Sequence, residues 1–203
     1  EGERDPDAMI QVWRPYGLCL LYLGRFADAR EVLGRALALY DPARHASHRF
    51  EYGSDPAVLA RSHLAWAEWF LGEPAAAETY ARDAVRSARA LDHPHSLAFA
   101  LAFQTCLAQF EGRHEEVRAS AEEMVGLAQA HEYPYWAAWG GILLGWALAR
   151  GGDDLGERLL RRGVADYGAT GAGLMRPYAA TLLAEVLAET SPQEALALVR
   201  QAL

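Results

Sequence analysis

Residues 13–36 read WRPYGLCLLYLGRFADAREVLGRA, and the spacing within this stretch decides the fold. Apolar residues recur at helical intervals on both sides of Gly24, and no period-two alternation of the kind that marks strands is sustained. Glycine accepts the left-handed backbone conformation that commonly follows a helix, so Gly24 ends one helix and allows another to begin. The stretch therefore predicts a helix-turn-helix hairpin.

The same arrangement recurs along the chain at intervals of about 40 residues. A turn residue followed five positions later by a small residue marks each occurrence, at Gly24, Gly72, Gly112, Gly151 and Thr190. One such hairpin cannot bury its apolar face alone, whereas stacked hairpins share a continuous core. The pattern predicts an all-α protein, a right-handed α-solenoid of about five helix-turn-helix repeats.

The repeats are predicted to form one domain that spans residues 1–203. The predicted units cover residues 6–40, 55–91, 94–131, 134–168 and 174–203, and a long connector occupies residues 41–54. We expect the connector to fold and pack against the array. The chain begins without Met and ends within an amphipathic run, so we also expect it to be a fragment of a larger protein.

The first unit resembles the tetratricopeptide-repeat (TPR) signature, in which Trp-x-x-Leu-Gly-x-x-Tyr precedes a turn glycine and Ala-x-x-x-Phe-x-x-Ala follows it. The matching stretch is Trp13-x-x-Tyr16-Gly17-x-x-Leu20, then Gly24, then Ala29-x-x-x-Leu33-x-x-Ala36. Later units match only in their small residues, and their period exceeds the usual value of about 34, so they are TPR-like. The resemblance implies a non-catalytic scaffold that binds proteins or peptides.

A narrower resemblance covers about residues 40–203. It is carried by Tyr40-Asp41-Pro42, Tyr52-Gly53-x-Asp55-Pro56, Trp66-x-x-Trp69-x-Leu71-Gly72, His93-Pro94-x-Ser96-Leu97-Ala98-Phe99-Ala100 and Ala169-Thr170-Gly171-Ala172-x-Leu174-x-Arg176-Pro177-Tyr178. These stretches are similar to the C-terminal helical regions of large bacterial signalling proteins. Such proteins often carry an upstream AAA-type or signal-transducing ATPase module and sometimes a class III nucleotide cyclase domain. The resemblance implies a cytoplasmic regulatory or sensor arm, not the ATPase or cyclase itself.

Composition argues against several classes of function. The net charge of −8 disfavours nucleic acid, because phosphate binding needs a basic face. The sequence contains no lysine, so a Walker A loop and a Schiff-base enzyme are both excluded for this chain. No apolar run is long enough to predict a membrane-spanning helix. Cys19 and Cys106 lie in apolar runs without a disulfide pattern, which predicts buried thiols in a reducing compartment.

The candidate binding surface follows from the repeat register. In TPR arrays the first helices line the concave surface, and aligning three units on Gly72, Gly112 and Gly152 places equivalent side chains in rows. The predicted groove residues are Leu59, Phe99 and Trp139 in one row, Trp66 and Trp146 beside Cys106 in another, and Trp69 and Gln109 in a third. Aromatic faces suit a peptide, a helix or a small organic ligand.

Two alternatives to this groove stay open. The rings could instead pack between neighbouring first helices, since large aromatic residues usually serve burial. The alignment also slips by one residue if Gly151 is the true turn, and Trp139 and Trp146 would then point away from the groove.

No metal, cofactor or catalytic site is predicted. The pairs His45 with His48 and His93 with His95 lack the further ligands that a zinc site needs nearby. Glu68 lies in an apolar helix without a partner for acid–base chemistry, and we expect it to pair with an arginine or to lie at the groove edge.

Two function hypotheses remain at this point, and neither is an enzyme. The array either binds a protein, a peptide or upstream domains of its own polypeptide, or it senses a small molecule in the aromatic groove. Self-association through the ends of the repeat array is a further expectation.

Overall fold

The computed structural model describes residues 6–45 and 47–202, which contain helices and no strand. The all-α prediction is therefore confirmed for this part of the chain. The chain divides into two compact units, Glu1–Leu107 and Ala108–Leu203, whose internal structures are described separately. The interpretation of residues 1–203 as a single repeat domain stays a prediction.

The first unit contains two helical hairpins, a connector and most of a further helix. Its helices are α1 (Pro6–Tyr22), α2 (Phe26–Ala38), α3 (Pro42–His45), α4 (His48–Glu51), α5 (Pro56–Phe70), α6 (Pro74–Ala90) and α7 (Pro94–Phe110), the last of which crosses into the second unit. Helix α5 packs on both α6 and α2. The predicted connector thus consists mainly of the two short helices α3 and α4.

The second unit continues with further paired helices. These are α8 (His114–Ala130), α9 (Pro134–Arg150), α10 (Leu155–Ala169), α11 (Arg176–Leu187) and α12 (Pro192–Ala202). Helix α9 packs on α8 and α10, and α11 packs on α12. Among the helices described, none is long and apolar enough to cross a bilayer.

Glycines in the left-handed conformation form the turns within the first four hairpins, whereas the turn between α11 and α12 contains no glycine. The φ angles are +74° at Gly24, +83° at Gly72, +70° at Gly112 and +83° at Gly152. Gly151, by contrast, has a right-handed φ of −78° at the end of α9. The turn residue of the fourth unit is therefore Gly152, and the register based on Gly151 is wrong.

The first hairpin shows why the TPR signature needs its residue types. A Cβ atom at Gly17 would lie 2.6 Å from Cγ of Leu33, so only glycine lets α1 approach α2 this closely. Ala29, Leu33 and Ala36 are buried on the facing side of α2, and Leu20 is buried on α1. The spacing of small and large residues in this hairpin thus follows from how α1 and α2 pack.

The connector docks on α1 and leads into a well-capped α5. Asp55 accepts hydrogen bonds from the backbone N–H groups of Ala57 and Val58, both at 3.0 Å, as expected of an N-cap residue before a first-turn proline. The Tyr40 hydroxyl donates a further hydrogen bond to the same buried carboxylate at 2.6 Å. These bonds fix the path of the chain from α2 into α5.

The two cysteines differ in their surroundings. Cys106 is buried as predicted, but Cys19 is exposed, so that part of the prediction is wrong. The reason is that Cys19 shares an α1 face with Val12 and Tyr16, at helical spacing, and both of those side chains are also exposed.

Candidate functional site

In the first unit, the predicted groove residues divide into buried and half-buried side chains. Leu59 and Trp66 expose only 7% and 5% of their surface. The indole Nε1–H of Trp66 donates to the backbone oxygen of Phe103 at 3.0 Å, and the two rings lie 4.3 Å apart. Trp69 and Phe99 stay half-exposed. Two of the four predicted residues in this unit therefore keep surface for a ligand.

In the second unit, both predicted tryptophans lie in the interior. Trp139 and Trp146 expose 3% and 2% of their surface. The Trp139 ring lies 5.6 Å from the Tyr178 ring, and Trp146 Nε1–H donates to Glu185 Oε2 at 3.1 Å. Gln109 is half-buried and accepts a 2.5 Å hydrogen bond from the Tyr178 hydroxyl. These contacts favour the alternative in which the rings pack between helices.

Burial thus reduces the number of predicted groove residues that could contact a ligand. Leu59, Trp66, Trp139 and Trp146 offer almost no accessible surface, because each is enclosed by the helices next to its own. The residues that remain available are Trp69, Phe99 and Gln109. A role for these residues in binding stays a prediction.

A sizeable cavity occurs elsewhere in the second unit. It has a volume of about 620 Å³ and is lined by α8, α9 and α10, with Ala138, Gly141 and Gly163 among its walls. None of the predicted groove residues lines it. Its walls also include Arg162 and Asp166, whose side chains pair with each other at 3.5 Å.

Glu68, a carboxylate in an otherwise apolar helix, forms an ion pair with an arginine. Its buried carboxylate lies 3.6 Å from a guanidinium nitrogen of Arg30, on the neighbouring α2. This ion pair confirms the expectation of an arginine partner. A carboxylate bound in this way serves the contact between the two helices.

The predicted histidine pairs are engaged in hydrogen bonds. His45 Nε2 lies 2.8 Å from Asp7 Oδ1, and its Nδ1 accepts from the Asp41 backbone N–H at 2.8 Å. His95 Nδ1 lies 2.8 Å from the Ser54 hydroxyl. Across residues 6–45 and 47–202, no group of three or more His, Cys, Asp or Glu side chains is placed to hold a metal ion.

One face of α1 meets the connector through three polar side chains. Asp7, Gln11 and Arg14 follow one another at helical spacing, and they face His45, His48 and Tyr52. Asp7 is joined to His45 by the 2.8 Å contact given above. Gln11 Nε2 lies 3.1 Å from His48 Nδ1. Arg14 is the exception, because no hydrogen bond or ion pair joins it to any described residue.

Arg14 and His63 are residues that the analysis of the sequence did not single out. Burial lowers the pKa of Arg14, with the Tyr52 phenol opposing that shift. Burial also lowers the pKa of His63 to about 3, and repulsion from Arg14 adds to the effect. The repeat register carried a signal for Arg14, because the equivalent positions hold uncharged, buried residues, namely Ser62, Ala102 and Ile142.

Comparison with known proteins gives matches among solved structures alone. No family model matches the chain, and no curated protein matches it. A crystal structure from Podosopora anserina, of a candidate kinesin light chain with nearly identical TPR-like repeats, is 19% identical with a TM-score of 0.63. That match covers 98% of this chain and 95% of the other. A variant of the same protein is 18% identical over 99% and 95%, again with a TM-score of 0.63.

These likenesses establish the fold. The chain is an α-solenoid of TPR-like repeats, as the spacing of its turn glycines predicted. At below 20% identity, the likeness extends to the fold and to nothing that the other proteins bind.

Proposed function

We propose that this chain is a non-catalytic, TPR-like scaffold that binds a protein or peptide. The observation that carries the proposal is the TPR-like repeat fold along nearly the whole chain, since stacked hairpins create extended surfaces without a reactive centre. Trp69, Phe99 and Gln109 are the members of the predicted rows with accessible surface. Trp69 and Phe99, both in the first unit, form the proposed contact set.

The contact between Ser54 and His95 does not form a hydrolytic site. The Ser54 hydroxyl contacts His95, as the nucleophile of a hydrolase would contact its base. Ser54 is buried, however, so a substrate cannot reach it. The adjacent Asp55 carboxylate is engaged by the α5 cap and by Tyr40, so it does not orient the imidazole as a triad carboxylate would. A serine without access to substrate has no nucleophilic role.

The scaffold proposal is tested by selecting peptides from a displayed random library on the purified chain. Affinities of the selected peptides are then measured for the wild type and for Trp69→Ala and Phe99→Ala. Leu174→Ala serves as the matched control, because this side chain is 59% exposed but lies outside the predicted rows. We expect loss of at least tenfold in affinity for the first two variants and none for the control. Equal affinity for all three variants would contradict the proposed contact set.

We further propose that the array is the regulatory arm of a cytoplasmic bacterial ATPase or nucleotide cyclase. The quoted stretches from Tyr40 to Tyr178 support this, and they lie at structural junctions such as the Asp55 cap and the Gly72 turn. The test compares ATP hydrolysis or cyclisation by the full gene product with and without residues 1–203. A gene product without either catalytic domain would overturn this assignment while leaving the scaffold proposal intact.

The alternative proposal is a small-molecule sensor. Support for this alternative from the aromatic rings of the predicted rows is weakened by the burial of Trp66, Trp139 and Trp146. Self-association through the repeat ends stays a prediction.

A further inference from the structure

The cavity between α8, α9 and α10 has a glycine in its wall that close packing does not require. A Cβ atom added at Gly141 would meet, outside the backbone of α9, one atom of the described residues within 4 Å, the Cα of Gly163 at 3.8 Å. Gly163 on the facing helix differs, because a Cβ there would lie 2.7 Å from the backbone nitrogen of Ile142. The two helices therefore touch at Gly163 and leave open space beside Gly141.

The repeat register shows that the position of Gly141 accepts a large side chain. In the alignment that placed the predicted rows, Gly141 is equivalent to Arg61 of α5 and to Leu101 of α7. Leu101 is buried and Arg61 is half-buried, so both of those helices accommodate a large residue there. The open volume is thus a feature of the hairpin formed by α9 and α10. At about 620 Å³, it lies within the range of small-molecule sites, which is about 300–1,000 Å³.

Two opposite charges lie side by side in the otherwise mainly apolar wall of this cavity. Arg162 and Asp166 are four residues apart on α10, and both side chains are exposed. The 3.5 Å between Arg162 Nε and Asp166 Oδ2 exceeds the length of a charge-assisted hydrogen bond, about 2.7–2.9 Å. An exposed pair of this kind contributes little to stability, so both groups are available to a ligand. The other polar wall residues are Gln129 and Thr170, and the Thr170 hydroxyl already donates to the backbone oxygen of Tyr167 at 2.7 Å.

We propose that this cavity binds a free α-amino acid with a large apolar side chain. The planar guanidinium of Arg162 binds the ligand carboxylate, Asp166 binds the ammonium group, and the apolar side chain enters the space beside Gly141. A ligand with a single charge fits less well, because its attraction to one member of the pair is opposed by repulsion from the other. A zwitterion satisfies both members. The site lies within the second unit, apart from the predicted rows, and does not depend on the proposed scaffold function.

The test is an NMR titration of the full 203-residue chain with L-phenylalanine as the probe. Three comparison compounds each lack one part of the probe: 3-phenylpropanoate lacks the ammonium group, phenethylamine lacks the carboxylate, and L-alanine lacks the ring. A fourth, N-acetyl-L-phenylalaninamide, has the ring without either charge and represents a phenylalanine within a peptide. We expect L-phenylalanine to bind at least tenfold more tightly than each of the four. The backbone amide resonances of Gly141 and Gly163 should shift as the probe is added.

A variant that fills the cavity distinguishes this site from general attraction to surface charge. Gly141→Leu introduces the side chain that the equivalent Leu101 carries, and it should weaken binding of L-phenylalanine at least tenfold. Gly34→Leu is the matched control, because a Cβ at Gly34 would meet no described atom within 4 Å and α2 lies in the other unit. The control should leave binding unchanged. Far-UV circular dichroism checks that both variants are folded.

Asp166→Asn tests recognition of the ammonium group, and it keeps the proposal testable if Gly141→Leu does not fold. The variant should weaken binding of L-phenylalanine at least fivefold and strengthen binding of 3-phenylpropanoate, because the repulsion between two carboxylates is removed. A merely structural role of Asp166 would change both affinities in the same direction. The proposal is overturned if 3-phenylpropanoate or N-acetyl-L-phenylalaninamide binds as tightly as L-phenylalanine, if the Gly141 resonance does not move at millimolar probe, or if a folded Gly141→Leu variant binds like the wild type.

Discussion

The contact between α9 and α10 yields a sharp prediction, because glycines bring the two backbones together. A Cβ atom at Gly145, in the middle of α9, would lie 2.4 Å from the backbone nitrogen of Leu160 and 2.7 Å from its Cα. Ordinary van der Waals contact begins at 3.4 Å, so Gly145→Ala requires the helices to separate by about 1 Å. Backbone atoms cannot rotate away as a flexible side chain can.

The magnitude follows from two opposing effects. Overpacking of a well-packed contact costs about 3 kcal/mol at the upper end of its usual range, and two helix backbones are an unyielding case. Alanine recovers about 1 kcal/mol of helix propensity relative to glycine. We therefore expect Gly145→Ala to lower the free energy of unfolding by about 2 kcal/mol.

Gly126→Ala is the matched control in the neighbouring α8. A Cβ at Gly126 would meet nothing within 4 Å, so only the propensity gain of about 1 kcal/mol applies and the variant should be stabilised. Urea denaturation followed by circular dichroism at 222 nm measures both variants. The reasoning is refuted if Gly145→Ala is as stable as Gly126→Ala, because the close approach of α9 and α10 would then be absent.

Three further predictions concern single buried side chains. Asp55→Ala should cost about 3 kcal/mol in urea denaturation, since it removes the α5 cap and the acceptor for Tyr40, whereas unchanged stability would contradict the cap. The folded-state pKa of His63 is about 3 against 6.5 when unfolded, so protonation favours the unfolded state below pH 6.5. Wild type should therefore lose about 1.4 kcal/mol more than His63→Leu between pH 8 and pH 5.5, and equal losses would contradict burial of a neutral ring. Trp146→Phe should cost about 1–2 kcal/mol through the lost bond to Glu185 and lost volume, and a neutral effect would place Trp146 outside the core.

Much of the fold could be predicted because its signals are local. Proline and glycine punctuate the helices independently of distant contacts: Pro56 follows the Asp55 cap, and Gly72 takes the left-handed turn after α5. The choice between Gly151 and Gly152 as the turn residue was harder, since both are glycines and either one permits the turn. Only the backbone, with φ of +83° at Gly152, distinguishes them.

The candidate site was harder to predict because burial depends on neighbouring helices. Register placed Trp66 and Trp146 in one row, but it carries no information on how closely the adjacent helix approaches. That approach brings the Phe103 backbone oxygen to one indole and Glu185 to the other. Arg14 could have been found, because a charge at a register that is otherwise uncharged is visible in the aligned repeats.

The central claim is that the array binds a partner through accessible side chains of its first helices. Hydrogen–deuterium exchange of the chain, with and without a selected peptide, tests this most directly. We predict slower exchange in α5 near Trp69 and in α7 near Phe99, with α6 unchanged. Protection confined to α6, or no change anywhere at saturating peptide, would contradict the claim.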